Sequence, residues 1–269
     1  MLRLKKSLLL CKKEILEAFK SKEVILVITI LPITFAVLMP LTIPLMTLTL
    51  PNDSAELDDF ENFPAIVPFW DELDSKGKFL VFYSMMYFEM FLLVPMILPL
   101  VIAADSIAGE RERKTLESII ASPLSTWEIL VGKLLTTLIP STIITWLTGI
   151  IFMVICDATL YRELGRLLFP NTMSLILLFV FSPFMTLITT QSMVIVSTRA
   201  SGMREAQQIG SLAVLPLYSF ILGETALLIL VSIWYVFIGI GIILVCSIIL
   251  LLINLKLFDR EYMISSIKS

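Results

Sequence analysis

Residues 105–133 read DSIAGERERKTLESIIASPLSTWEILVGK, and they lie between two apolar runs, FLVFYSMMYFEMFLLVPMILPLVIA at 79–103 and LLTTLIPSTIITWLTGIIFMVIC at 134–156. Each run exceeds the roughly 20 helical residues that cross about 30 Å of hydrocarbon. The charged segment between them therefore reads as a connection on one face of a membrane. Runs at about 24–49 and 171–195 qualify on the same grounds, and a long tract at 211–257 carries Glu224 as its only charge before Lys256. That tract is too long for one span and too short for three, and Gly223-Glu224 gives it a natural break. The expected fold is an all-α integral membrane protein of one domain, 1–269, with six transmembrane helices at about 24–49, 79–103, 134–156, 171–195, 207–223 and 234–257. A content of 58% hydrophobic residues and a mean hydropathy of +0.95 agree with that class.

Lys and Arg set the expected orientation, because cytoplasmic loops retain them. Of the 20 in the chain, only Lys76, Lys78, Arg162 and Arg166 fall on the side opposite the N-terminus. Both termini are therefore expected in the cytoplasm, with the chain a multi-pass protein of the cell membrane. The first outer loop, about 51–78, is acidic through Asp53, Glu56, Asp58, Asp59, Glu61, Asp71, Glu72 and Asp74. About 23 Lys-rich residues precede the first span, which is not the shape of a cleaved signal peptide. Among them Leu4, Leu8, Cys11, Ile15 and Phe19 recur at steps of four and three, while Lys6, Lys13, Glu17 and Lys20 take other faces. The spacing predicts an amphipathic interfacial helix over 1–23. It serves either as a positive-inside anchor or as a contact for a soluble partner.

The chain contains no histidine, which excludes His-ligated haem, His-containing zinc sites and His-based triads. Cys11, Cys156 and Cys246 have no CxxC spacing and read as packing residues. No GxxxxGK[ST] phosphate loop is present, so ATP is not bound by that route, and no cofactor is expected on this chain. Gly239 and Gly241 lie inside the last span, where small residues permit close helix packing.

Within the charged segment, residues 105–121 suit a short helix in which Glu110 can pair with Arg113 and Lys114, and Arg113 with Glu117. Its charges nearly cancel, which argues against nucleic acid as a partner. Leu116, Ile119 and Ile120 leave an apolar patch, and Ser122-Pro123 ends the element. Such a helix is either a solvated connection or a docking element. Ser125-Thr126-Trp127-Glu128 fits a capping box that starts a new helix, with Trp127 and Lys133 at the interface as the chain re-enters the bilayer.

The string Asp105-x-x-x-Gly109-Glu110-Arg111-Glu112-Arg113-x-Thr115-Leu116-Glu117, followed by Ser122-Pro123-Leu124-Ser125 and Gly132-Lys133, resembles the signature of the ABC transporter type-2 permeases. The likeness extends to Leu215-Pro216 and to the closing Phe258-Asp259-Arg260-Glu261. Lys114 departs from it, since many relatives have glycine there, and is expected to stiffen the helix. The resemblance implies a non-catalytic membrane subunit of an ATP-driven exporter, paired with a second permease subunit in a homodimer. ABC ATPase subunits that carry the ATP and Mg would lie beneath it. It assigns Asp105, Gly109, Glu110, Arg111, Glu112, Arg113, Thr115, Leu116 and Glu117 to a cytoplasmic coupling helix seated in the ATPase, and it implies a re-entrant turn at about 223–234, before the last span.

Substrate signals are sparser. Glu89 sits near the middle of the second span, where a carboxylate is costly and fits a pathway, a dimer interface or a proton site, or equally a protonated, hydrogen-bonded side chain. Thr137, Ser141, Thr145 and Thr148 form a polar stripe on the third span, and Ser182, Thr186 and Thr189 one on the fourth, patterns that suit tight helix packing or a path. An ATP-independent transporter or channel would be expected to show internal repeats, and none stands out between 1–133 and 134–269. An intramembrane enzyme would need paired catalytic groups, for which one Glu without a His is poor material.

Overall fold

The computed structural model describes residues 2–49, 67–115, 124–212, 219 and 234–257, and the regular elements among them are all helical. They are α1 (Leu2–Ala18), α2 (Lys22–Met46), α3 (Ser75–Glu112), α4 (Thr126–Leu164), α5 (Thr172–Arg199), α6 over 203–212 and α7 (Trp234–Leu257). Helices α2 to α5 are long and apolar enough to cross a membrane, and the apolar part of α7, Gly241–Lys256, is shorter. Most of the expected fifth span and the expected re-entrant turn lie outside the described residues.

Helix α4 is the axis of the bundle: α1, α2, α3 and α5 all pack against it, and α7 packs on α5. The capping box expected at its start is present, with Ser125 Oγ accepting from Glu128 N–H at 3.3 Å and Ser125 N–H donating to Glu128 Oε2 at 2.8 Å. At its other end Gly165 adopts φ 67°, a left-handed stop that suits glycine. Beyond it Asp157 Oδ1 accepts from the amides of Leu168 and Phe169, which folds the connection back onto α4. Phe169 joins Phe88 and Phe152 in a ring cluster with centroids 5.3–5.9 Å apart, far from α1. Helix α7 is fixed through Gln191 of α5, which accepts from Ser247 Oγ and from Asn254 Nδ2, each at 3.1 Å.

Helix α1 is amphipathic, but the stripe read from sequence is not the face it buries. Ser7, Leu10, Cys11, Glu14 and Ala18 are buried, whereas Leu8, Leu9, Leu16 and Phe19 are exposed. The helix therefore has one face packed against α4 and a separate exposed apolar face. Their approach is close at Gly132, where a Cβ would lie 2.8 Å from Leu10 Cδ2 and 3.3 Å from the Ser7 carbonyl oxygen. Of the cysteines, Cys11 and Cys156 are buried as expected of packing residues, while Cys246 is exposed on α7.

Three prolines coincide with breaks in the helices, whereas Pro32, Pro44, Pro99 and Pro140 lie inside regular helix. The π turns Thr34–Leu38 and Leu177–Phe181 and the 3-10 turn Phe91–Leu93 each end two residues before a proline, at Pro40, Pro183 and Pro95. Proline lacks an N–H and clashes with the carbonyl four residues back. That carbonyl, on Ala36, Phe179 or Phe91, lies inside the irregular turn each time. The ladder shifts to relieve the clash.

A charge-clamped turn as the candidate coupling site

One irregular turn has no such proline. Asp105–Gly109 is a π turn inside the continuous helix α3, and the next proline in the chain is Pro123. The expected separate helix over 105–121 is thus, for its first eight residues, the end of the second span, and Asp105 to Glu110 are buried there. Cations instead bond two of the turn's carbonyls. Arg113 Nη2 donates to the Asp105 carbonyl at 3.2 Å, and Lys133 Nζ donates to the Ser106 carbonyl at 2.6 Å.

Lys133 is the centre of a buried cluster. Its ammonium lies 3.0 Å from Glu14 Oε1 and 2.7 Å from Glu110 Oε2, and Ser106 Oγ donates to Glu14 Oε2 at 2.7 Å. The side chains of Lys133, Glu14 and Glu110 are 1%, 3% and 4% exposed. Three stretches distant in sequence, α1, the end of α3 and the start of α4, meet on this one nitrogen. An ammonium so deep is tolerated because each donor meets an acceptor, two of them charged. Lys133, expected at the interface together with Trp127, is instead buried in this cluster, while Trp127 is half exposed.

The remaining charges of the signature are clamped as well. Arg111 donates to the carbonyls of Thr198 and Ala200 at 2.8 and 2.9 Å, the unpaired end of α5. Glu112 Oε2 accepts from the Met203 amide at 3.3 Å, at the start of α6. Neighbouring residues of opposite sign thus hold the two helix ends that flank the turn at 200–202. Arg113 Nη1 pairs with Asp105 Oδ1 at 3.0 Å across Gly109, where a Cβ would lie 3.1 Å from that oxygen and 3.3 Å from the guanidinium. The pairs expected along one helix, Glu110 with Arg113 or Lys114, are replaced by these longer-range ones.

The helix then stops. Lys114 has φ 57°, its amide bonds the Arg111 carbonyl at 3.0 Å, and the Thr115 amide bonds the Glu110 carbonyl at 2.9 Å. That is a Schellman ending with Lys114 at the left-handed position glycine prefers. Lys114 accordingly terminates the helix instead of stiffening it.

The family model for ABC-2 family transporter proteins matches residues 8–258. The chain belongs to the ABC-2 transporter family. It is a membrane subunit of an ABC transporter, a multi-pass permease of a family whose members work with ABC ATPase partners. No curated protein and no solved structure matches it.

In this permease Asp105, Gly109, Glu110, Arg111, Glu112 and Arg113 form one connected site, with Glu112, Arg113, Lys114 and Thr115 exposed at its rim. Leu116, Glu117 and Ser122-Pro123 lie outside the described residues, as do Leu215-Pro216 and Phe258–Glu261. Glu89 is half-buried on α3, in the half of the helix away from this site. Thr137, Ser141 and Thr145 are buried within the single chain on α4, and the hydroxyls of Ser141 and Thr145 have no hydrogen-bond partner among the described residues. Glu14 and Ser106 were not singled out from the sequence. The available signal was the position of Glu14 one turn from Cys11 and Ala18, off the lysine-rich faces of α1.

Proposed function

We propose that the permease is the membrane subunit of an ATP-driven exporter, and that Asp105–Glu117 is its contact with a separate ATPase subunit that holds ATP and Mg. Two copies of the chain pair in the membrane, six spans each, with both termini and the contact on the cytoplasmic face. The observation that carries this reading is the clamp itself. A push on the exposed Glu112–Thr115 rim is transmitted to α1 and α4 through Glu110 and Lys133, and to α5 and α6 through Arg111 and Glu112. A segment with so many rigid attachments suits the transfer of motion better than a solvated loop does.

At the rim, exposed ion pairs with the partner contribute about 0–1 kcal/mol each and set orientation. Leu116 supplies the apolar contact, at roughly 25 cal/mol per Å² buried. The test is co-purification of tagged permease with its ATPase. Leu116→Asp is expected to abolish both association and ATP-dependent transport in proteoliposomes. Unchanged association, or substrate movement by the permease alone without ATP, refutes the reading.

A further inference from the structure

We infer that the permease holds the headgroup of an amine-bearing zwitterionic phospholipid in a cleft beside the clamp. The cleft, about 580 Å³, is lined by both signs of charge: Lys22 and Glu23 of α2, Asp105, Glu112 and Arg113 at the end of α3, and Arg204 of α6. Its volume falls within the roughly 300–1,000 Å³ of small-molecule sites. Asp105 and Arg113 are spent on each other, but Lys22, Glu23 and Arg204 are exposed and have no side-chain partner among the described residues. Two free cations suit a phosphodiester, and a free carboxylate beside them suits an ammonium.

The position fits a lipid in particular. The cleft lies where α2 begins, where α3 ends and just beyond the end of α5, which is the depth of the headgroups if these helices span the bilayer. The next turn of α2 exposes Ile25 and Leu26, and α6 runs from Arg204 to exposed Ile209 and Leu212. A charged cleft that opens onto apolar helix faces matches an amphiphile, with the head among the charges and the chains along α2. Among the described residues the cleft has no aromatic lining residue. Quaternary ammonium groups are held by aromatic cages, so a primary ammonium is favoured over choline. Of the rim residues, Glu112 and Arg113 line the cleft, whereas Lys114 and Thr115 lie outside it and stay open to a protein partner.

The cleft shares Asp105, Gly109, Glu112 and Arg113 with the proposed ATPase contact, so the variants are confined to Lys22, Glu23 and Arg204, outside that segment, and lipid is read on the permease without its ATPase. Protein purified from bilayers of equal phosphatidylethanolamine, phosphatidylcholine and phosphatidylglycerol is stripped with detergent, and its retained lipid is counted by native mass spectrometry. The wild type is expected to keep phosphatidylethanolamine over both others. Lys22→Ala with Arg204→Ala should weaken retention about 25-fold, since each basic residue near the headgroups contributes about fivefold. Glu23→Gln should leave phospholipid bound but erase the preference for ethanolamine over choline. All three side chains are exposed, and melting curves that match the wild type show that the variants fold. Equal retention of the three lipids, a preference for phosphatidylglycerol, or variants that retain lipid as the wild type does would each overturn the proposal. So would loss of ATPase co-purification in the double variant with lipid retention unchanged, which would make the cleft a protein contact.

Discussion

Replacing Lys133 with methionine keeps the length of the side chain and removes the four contacts made by its ammonium, to Glu14, Glu110 and the carbonyl and hydroxyl of Ser106. Glu14 and Glu110 would then face one another as buried carboxylates without a cation, and the Ser106 carbonyl would lose a partner at 2.6 Å. Removing one member of a buried, hydrogen-bonded charge cluster costs about 3–5 kcal/mol, most of it the penalty of the charges left behind. For a chain of this size class each kcal/mol moves the melting point by roughly 2–4 °C, so Lys133→Met is expected to melt about 6–20 °C below the wild type. The triple variant Glu14→Gln, Glu110→Gln, Lys133→Met removes the stranded charges and should regain more than half of that loss. A second readout follows α1 directly. Burial pushes the Cys11 thiol above its ordinary range and shields it, so in a Cys156→Ala, Cys246→Ala background it should react slowly with maleimide. Lys133→Met should speed that labelling. A melting point within about 3 °C of the wild type, well short of the drop set by the buried-charge penalty, would refute the reasoning. A triple variant no better than the single one would do the same.

Lys114→Gly should raise the melting point, since relieving a left-handed non-glycine residue is worth about 1 kcal/mol, while Lys114→Val should lower it. Gly109→Ala is expected to cost about 1–3 kcal/mol by crowding the Asp105–Arg113 bridge. Measured in an Arg113→Gln background by a thermal mutant cycle, that cost should shrink, and an unchanged cost would separate Gly109 from the bridge. Arg111→Met should leave the ends of α5 and α6 frayed, seen as faster amide exchange at 198–204 than at 185–195, with no comparable change around Lys133.

Long elements were legible from sequence because hydropathy over twenty residues averages out local detail. The capping box at Ser125 was legible because its partners are three residues apart. The site was located but not wired. Glu110 could be read only against neighbours one turn away, such as Arg113, whereas its partner is Lys133, 23 residues on, and the other carboxylate on that lysine is 119 residues from it. Local spacing also cannot tell which face of α1 meets the bundle, since the buried face includes Ser7 and Glu14 while Leu8, Leu9 and Leu16 are exposed. Lys114 shows a third limit: a backbone with φ 57° leaves no mark on side-chain periodicity.

The π turn at Asp105–Gly109 has a consequence for motion. A turn of this kind stores one residue beyond the α count, here retained by Arg113 and Lys133 on the carbonyls of Asp105 and Ser106. Were those two cations to let go and the helix to wind down to the α repeat, the stored residue would be passed along it. Everything beyond Gly109 would turn by about 100° and travel about 1.5 Å relative to the span behind it. The clamp is in that sense a detent, and the position it holds is an angular one.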